Sequence, residues 1–282
     1  ALNSPLLWAV SCKSAFLRKC FVFAISRSPV NIRPLLGVRK KQNPKGLALF
    51  ARAYFNLYQH TGEESCRTNG QMLLDQLLRI SQKGRFSGHC WGYDHPWQNI
   101  AFFIPPYEPN SVVTCAAAEA YLKAYQLFGQ KEHLEVCQSV AEFLLNDLTL
   151  IDVGPGRLCR SYDLHSHWKV INVNAFIAAF MAKLYAVTKH TEYKTIAEQT
   201  MRWVIDRKTE NFAWYYTDPP EASRITIDNY HTGFVLDSIQ EYLEVLENAE
   251  YRQVWEKGLA FYRENLFTPE YAPKWMYNRT TP

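Results

Sequence analysis

Apolar residues recur at helical spacing along most of this chain, and the alternation of apolar and polar residues that is typical of half-buried strands is almost absent. The pattern predicts nine helices, at residues 6–26, 46–60, 66–81, 111–128, 132–147, 173–188, 192–206, 229–247 and 250–266. The fold class is therefore expected to be all-α.

The predicted helices come in pairs. Short polar connections at residues 60–64, 128–132 and 188–192 join the two members of a pair, so each pair is expected to form an antiparallel hairpin. Equivalent positions just before each turn are Tyr58, Tyr125, Tyr185 and Leu243, at intervals of 67, 60 and 58 residues. A hairpin that recurs about every 60 residues stacks into an open solenoid or closes into an (α/α) toroid.

Long connections follow the second helix of each pair and precede the first helix of the next, so hairpin geometry places them all at one end. They are rich in aromatic, acidic and histidine residues, above all at 85–99 (RFSGHCWGYDHPWQN), 159–174, 214–231 and 271–277. In a toroid these loops surround one concavity, where aromatic faces can stack on sugar rings and carboxylates can bind hydroxyl groups. A pocket that binds a carbohydrate is therefore expected at this end. This loop content favours a closed toroid over an open solenoid.

Composition fits one globular domain over residues 1–282, since no linker divides the chain. Aromatic residues make up 15% of it, with eight Trp and 17 Tyr, which suits either extra packing in a large helical core or a surface that binds flat polar ligands. The net charge is +4 and the densest basic run is Arg39, Lys40 and Lys41, too short for a nucleic-acid interface, so no nucleic-acid partner is expected.

The apolar stretch at residues 6–25 contains Lys13, Arg18 and Lys19, which argues against both a membrane span and a signal peptide. Seven cysteines form an odd number without a CxxC pair, so reduced thiols and a cytoplasmic location are expected. The oligomeric state is left open.

Among the carboxylates, Asp94 lies between Trp91 and Trp97, which are expected to desolvate it and raise its pKa toward use as a general acid. His231 or Asp228 is the expected partner base, with Asp163 as a further candidate. A glycosidase needs two such groups across the scissile bond, whereas a lyase or epimerase moves a proton with His or Tyr, and both schemes stay open. The expected substrate-binding residues are His89, Trp91, Tyr93, Trp97, Gln98, Tyr162, Trp214, Tyr215 and Trp275.

Helix capping is a competing explanation for some polar residues. Asn110, Asn172 and Asp228 each lie at or just before a predicted first helix, where such side chains accept hydrogen bonds from exposed backbone amides. Capping does not explain His231, because that position of a capping box favours Glu or Gln.

No metal and no cofactor is expected. The pair His89 and Cys90, and the HisxHis of His165 and His167, are weak ligand motifs. The sequence also contains no HExxH, no glycine-rich phosphate loop and no GxSxG.

Four segments carry a resemblance to a known family: GHCWGYDHPWQ (88–98), PNSVV (109–113), AEFLLNDL (141–148) and IDNYHTGFVLD (227–237). With them the chain resembles the six-hairpin (α/α)6 toroids of glycosidases, polysaccharide lyases and sugar epimerases. Within that superfamily it is similar to bacterial proteins of polysaccharide biosynthesis regions. The resemblance implies a carbohydrate-active toroid with its site at the aromatic end.

Two features depart from that superfamily. Only about five hairpins are visible, so we interpret the chain as a toroid truncated at one or both ends. The complete catalytic signatures of the characterised members are also absent. We therefore expect an enzyme that acts on a polysaccharide or oligosaccharide, as a glycoside hydrolase, lyase or epimerase. The alternative is a non-catalytic component that binds a glycan or a protein in polysaccharide assembly.

Overall fold

The structure, a computed structural model, describes residues 3–11, 14–98 and 103–279, without the side chain of Gln98. A short N-terminal pair, α1 (Pro5–Ser11) and α2 (Ala15–Ser26), precedes four longer hairpins. The hairpins are α3 (Pro44–Thr61) with α4 (Glu64–Arg79), α5 (Ser111–Phe128) with α6 (Lys131–Asn146), α7 (Ile171–Thr188) with α8 (Thr191–Asp206), and α9 (Asn229–Leu243) with α10 (Ala249–Asn265). The predicted all-α toroid is confirmed.

The hairpins repeat with a constant register. Their first helices begin at residues 44, 111, 171 and 229, which gives the intervals of 67, 60 and 58 residues predicted from the turns. In three of them the turn begins with a left-handed residue, Gly62, Gly129 or Lys189, whose N–H donates to the tyrosine carbonyl four residues earlier at 2.8 Å. Left-handed residues are the usual way to end a helix before an antiparallel return.

The first helices form the inner layer, where α5 lies between α3 and α7, and α7 lies between α5 and α9. Because α7 lies between two inner helices and packs against α8, most of its residues are apolar, and its buried residues include Val173, Ile177 and Phe180. Within the described residues, α7 is the one helix that is long and apolar enough to cross a membrane. However, 67% of it is buried inside the fold.

Short two-residue strands stabilise the long connections. They are β1 (Trp97–Gln98), β2 (Phe103–Ile104), β3 (Leu150–Ile151), β4 (Cys159–Arg160), β5 (Lys169–Val170) and β6 (Thr217–Asp218), paired antiparallel as β1 with β2, β3 with β4 and β5 with β6. The last pair joins connections from two successive repeats.

The structure corrects two details of the sequence prediction. Residues 6–26 do not form one helix, because α1 ends at Ser11 and α2 begins at Ala15. Asn110 and Asp228 do cap α5 and α9 by accepting the amides of Val113 and His231 at 3.0 Å. Asn172 is not a cap, however, since α7 already begins one residue earlier.

Cysteines 20, 66, 90, 115, 137 and 159 are free thiols, and Cys12 lies outside the described residues. Burial raises the pKa of the Cys90 and Cys159 thiols to about 12, with Asp147 adding to the effect at Cys90. These thiols therefore act as small apolar side chains.

Candidate functional site

A cavity of about 390 Å³ lies between the four first helices. The sixth residue of each helix contributes to an apolar collar formed by Leu49, Ala116, Phe176 and Phe234. The ninth residue of three of them is charged and also lines the cavity: Arg52, Glu119 and Asp237. Positions three apart share a helix face, so the repeated register itself creates an apolar layer followed by a charged layer.

The charged layer is held together by one lysine. The Lys183 ammonium of α7 bonds the carboxylates of Glu119 and Glu241, and Arg52 of α3 lies 3.9 Å from the other oxygen of Glu241. Burial lowers the pKa of Lys183, but the two glutamates outweigh burial and the net pKa is raised. Burial, with Glu119 beside it, raises the pKa of Glu241. The network therefore ties all four inner helices together across the cavity.

Tyrosines of the long connections form the aromatic end. The segments CWGYD (90–94), CRSYD (159–163) and AWYYT (213–217) place Tyr93, Tyr162 and Tyr216 at the same position, always three residues after a fully buried Cys or Ala. The carbonyls of Tyr162 and Tyr216 accept the first amide of the preceding inner helix, from Ser111 at 3.0 Å and Ile171 at 3.1 Å. Each connection thus fastens its tyrosine to the start of a neighbouring hairpin.

The fourth connection follows the same rule with a tryptophan. The carbonyl of Trp275 accepts the first amide of α9, from Asn229 at 3.0 Å. The first helix of the remaining hairpin starts at Pro44, which has no amide hydrogen, and the carbonyl of Tyr93 instead accepts from Tyr107 at 2.6 Å.

The three loop tyrosines lie close to one another and to Tyr230 of α9. Burial raises the pKa of Tyr162 well above its usual value, with Tyr93 and Tyr216 adding to the effect. Burial and the nearby phenol of Tyr230 raise the pKa of Tyr93 to about 12. At neutral pH these phenols therefore keep their protons and can donate hydrogen bonds.

His231 belongs to this tyrosine cluster. Its ring centroid lies 4.4 Å from that of Tyr216 and 5.4 Å from that of Tyr230. Its Nδ1 lies 2.8 Å from one carboxylate oxygen of Asp228, whose other oxygen caps α9. Asp228 is only 2% exposed, whereas the imidazole side chain is 23% exposed. Asp228 therefore positions His231, and Nε2 is the ring nitrogen left to exchange a proton with a ligand.

Asp94 is buried and its carboxylate lies 2.9 Å from Nδ1 of His95. The Lys41 ammonium donates to its backbone carbonyl at 2.8 Å, and its surroundings form a cleft with Lys41, Gln82 and Tyr107 that is separate from the central cavity. Tyr93 joins the tyrosine cluster while the next residue faces this second cleft, because successive residues of an extended segment point in opposite directions.

Asp163 has a structural contact that the sequence does not reveal. One of its carboxylate oxygens accepts the amides of His165 at 2.8 Å and Ser166 at 2.7 Å, and the residue is 2% exposed. It lines a small cleft with Trp168, apart from His231. The four predicted catalytic residues are thus not brought into one cavity: Asp228 and His231 pair, whereas Asp94 and Asp163 stand elsewhere.

Two of the predicted substrate-binding residues, Trp91 and Trp214, belong to the core. Trp91 is wholly buried and donates its indole N–H to the carbonyl of Leu77 at 2.8 Å. Trp214 is 2% exposed and donates to the carbonyl of Val204 at 2.9 Å, at the same place in its own repeat. Neither ring face is open to a ligand, so the sugar-stacking prediction is corrected for both to a role in packing.

His89 also lies away from the cavity. Its Nδ1 is 2.7 Å from the hydroxyl of Ser81, its amide donates to Ser139 of the outer helix α6, and its ring stacks on Trp91. Burial, with Lys83 nearby, lowers its pKa to about 4, so it is neutral at neutral pH. Its predicted role in substrate binding is replaced by a role in packing.

Other aromatic residues that were predicted to bind substrate remain accessible. Trp97 is 38% exposed and stacks on Tyr93 with ring centroids 5.4 Å apart, and Trp275 is 59% exposed. Tyr215 is partly exposed, between the buried side chains of Trp214 and Tyr216. The side chain of Gln98 lies outside the described part of the structure, so its predicted role stays a prediction.

The sequence analysis missed the carboxylates of the cavity wall, Glu119, Asp237 and Glu241. Burial raises the pKa of Asp237, which stands on the exposed side of α9 facing the cavity. Their signal is a charged residue at the ninth or thirteenth position of an inner helix, on the face that also carries the apolar collar. Among the described residues no three His, Cys, Asp or Glu side chains converge as a metal site.

Comparisons with known proteins fit this geometry. No family model and no curated protein sequence matches the chain. Among solved structures, the α-1,6-mannanase of Salegentibacter sp. HEL1_6, in an inactive variant bound to α-1,6-mannotriose, is 15% identical with a TM-score of 0.63 over 98% of this chain and 79% of its own. The cellobiose 2-epimerase of Bacillus thermoamylovorans is 9% identical with a TM-score of 0.67, over 100% of this chain and 80% of its own.

The α-mannanase of Bacteroides thetaiotaomicron, of family GH76, is 15% identical with a TM-score of 0.61 over 85% of this chain. This chain spans 63% of the length of that mannanase. The likeness shows the fold: the chain shares the (α/α)6 toroid architecture of glycosidases and sugar epimerases, as its sequence resemblance implied.

Proposed function

We propose that this protein is a carbohydrate-active enzyme that transfers protons to and from a saccharide bound where the tyrosine cluster adjoins the central cavity. The observation that carries the proposal is the Asp228 carboxylate 2.8 Å from Nδ1 of His231, beside tyrosines that remain protonated. A carboxylate in that position fixes the tautomer and orientation of the imidazole, so Nε2 can act as a general base. The fold that the chain shares with saccharide-binding enzymes supports the same conclusion.

This geometry favours a His-mediated proton transfer, as in an epimerase, isomerase or lyase, over hydrolysis by Asp94 and Asp163. Asp163 uses a carboxylate oxygen for two backbone amides, and Asp94 faces a separate cleft. A hydrolase would need a carboxyl on the other side of the scissile bond from His231, and Asp237 is the cavity-lining group with a raised pKa that could act as its acid. Trp97 and Trp275 are the accessible rings that could stack on a sugar.

The test is incubation of the purified chain with mannose, cellobiose and α-1,6-mannotriose in deuterated water, followed by mass spectrometry and NMR. An isomerase or epimerase that exchanges a carbon-bound proton gives a product labelled at that carbon, whereas hydrolysis gives shorter, unlabelled saccharides. His231→Gln should abolish turnover, and His165→Gln, an exposed histidine outside the cavity, should not.

The rival function is a non-catalytic glycan-binding component of polysaccharide assembly. It predicts that calorimetry detects binding of a saccharide that the protein never alters. The same saccharide should still bind to the His231→Gln variant. For the setting we propose the cytoplasm of a polysaccharide-producing bacterium, which the free thiols support. Fractionation of cells that express the full-length protein would test that location.

A further inference from the structure

The N-terminal helix pair exposes an unusual amount of apolar surface. Six side chains of α1, α2 and the segment that follows are more than half exposed: Leu6, Val10, Phe16, Phe23, Val30 and Leu35. These residues are called the N-terminal surface below. Of the residues of α2, Ile25 is the one that is buried. A helix with apolar residues on nearly every side is normally covered by other protein or by lipid.

The same segment is strongly basic. Residues 1–62 contain ten Lys or Arg and no acidic residue, since the first carboxylate of the chain is Glu63. The remaining residues carry more acidic than basic side chains. The small net charge of +4 is therefore the sum of a basic N-terminal part and an acidic remainder. Lys19, Arg27, Arg33, Arg39 and Lys40 are all exposed. This distribution of charge favours an anionic partner for the segment.

Basic and aromatic residues share one face of α2. Phe16, Lys19, Phe23 and Arg27 follow one another at spacings of three or four residues, and the Arg27 guanidinium lies 4.9 Å from the Phe23 ring centroid. Cations beside exposed phenylalanines are typical of helices that lie in the interface of an anionic bilayer. A nucleic acid would satisfy the cations but not cover the aliphatic side chains, and a second copy would bring two basic surfaces together.

We propose that the N-terminal surface binds an anionic lipid bilayer, with Phe16 and Phe23 entering the headgroup region and the basic residues bonding lipid phosphates.

The N-terminal surface is connected to the tyrosine cluster through a short chain of contacts. Trp8 of α1 stacks on Phe103 with ring centroids 5.8 Å apart, and Phe103 pairs through β2 with Gln98 of β1. The neighbouring Trp97 stacks on Tyr93 of the tyrosine cluster. Membrane binding therefore holds the loop that carries Tyr93 close to the lipid headgroups.

The experiment is co-sedimentation of the full chain with vesicles of phosphatidylcholine alone or of phosphatidylcholine mixed with phosphatidylglycerol. Binding is expected to the mixed vesicles and to weaken as salt screens the charges. Lys19→Glu with Arg27→Glu should weaken binding about tenfold or more. Phe16→Ser with Phe23→Ser should weaken binding even at low salt.

Matched controls lie on the outer helices. Lys131→Glu with Arg252→Glu reverses two exposed charges elsewhere, and Met72→Ser with Leu78→Ser removes two exposed apolar side chains of α4. Neither pair should change vesicle binding, and circular dichroism melts check that every variant is folded.

Several results would overturn the proposal. They are equal binding to neutral vesicles, no sedimentation of the wild type with either lipid, or unchanged binding of both N-terminal variants. Light scattering without lipid provides a further test. If the wild type is a dimer and the double variant Phe16→Ser with Phe23→Ser is a monomer, this surface binds a second copy of the chain instead. Tighter binding to a DNA duplex than to mixed vesicles would assign it to nucleic acid. None of these outcomes depends on saccharide turnover.

Discussion

Nδ1 of His231 lies 2.8 Å from the carboxylate of Asp228, and the same carboxylate caps α9 through its other oxygen. One buried side chain therefore starts an inner helix and orients the imidazole of the tyrosine cluster, which adjoins the cavity where the ring of Tyr230 lies 4.4 Å from that of Phe234. Capping and function are not alternatives at this position, because the two carboxylate oxygens serve them separately.

Asp228→Asn should lower kcat for the proposed saccharide conversion by about 10²–10⁴-fold with little change in KM, because an amide does not hold the imidazole in the tautomer that leaves Nε2 free to accept a proton. Asparagine still caps a helix, so stability should fall by less than about 1 kcal/mol. Steady-state kinetics with thermal melts separate the two effects. A parallel fall in melting temperature and activity would assign Asp228 to structure alone.

Trp91→Phe and Trp214→Phe should each destabilise the protein by about 2–3 kcal/mol, because both lose a buried indole hydrogen bond and leave a gap in the core. Saccharide affinity of the folded fraction should not change. Trp97→Ala is the opposite case, with weaker saccharide binding and little loss of stability. Urea unfolding measures the stability of each variant, and calorimetry measures its saccharide affinity. A selective loss of affinity in Trp214→Phe would show that Trp214 belongs to the binding site.

Lys183→Met should destabilise the protein by about 3 kcal/mol at pH 7, because Glu119 and Glu241 would face each other without their cation. The pKa of Glu241 is raised already and should rise further in the variant. A carboxyl with a raised pKa in the folded state binds a proton that the unfolded chain releases, so the folded state gains stability as the pH falls. The deficit of Lys183→Met should therefore shrink near pH 5. Chemical unfolding at both pH values tests this, and a constant deficit would contradict it.

Gly88→Ala should destabilise the protein by about 3 kcal/mol or more, since a Cβ there would overlap the backbone carbonyl of Ser139 in α6. Gly46→Ala is the matched control: its Cβ would make ordinary contact at 3.7 Å and should add up to about 1 kcal/mol of helix stability. Thermal melts of both variants check the prediction. Similar melting temperatures would mean that the loop at Gly88 can shift away from α6.

The sequence by itself determined the helices, the hairpins and their register. Tyr58, Tyr125 and Tyr185 mark the turns because the left-handed residue four positions later closes each first helix locally. Helical periodicity and turn chemistry act over a few residues, so they can be read without knowledge of the fold. The placement of every long connection at one end followed from the same local geometry.

Only the tertiary structure decided which loop residues join the tyrosine cluster. Within CWGYD, Trp91 is in the core, Tyr93 belongs to the tyrosine cluster and Asp94 faces another cleft, although all three are neighbours in the chain. The direction of an extended segment depends on its fastening to the next hairpin, as in the bond from Ser111 to the Tyr162 carbonyl. Such contacts join residues about fifty positions apart. No local pattern encodes them, because their partners are brought together only when the hairpins pack around the cavity.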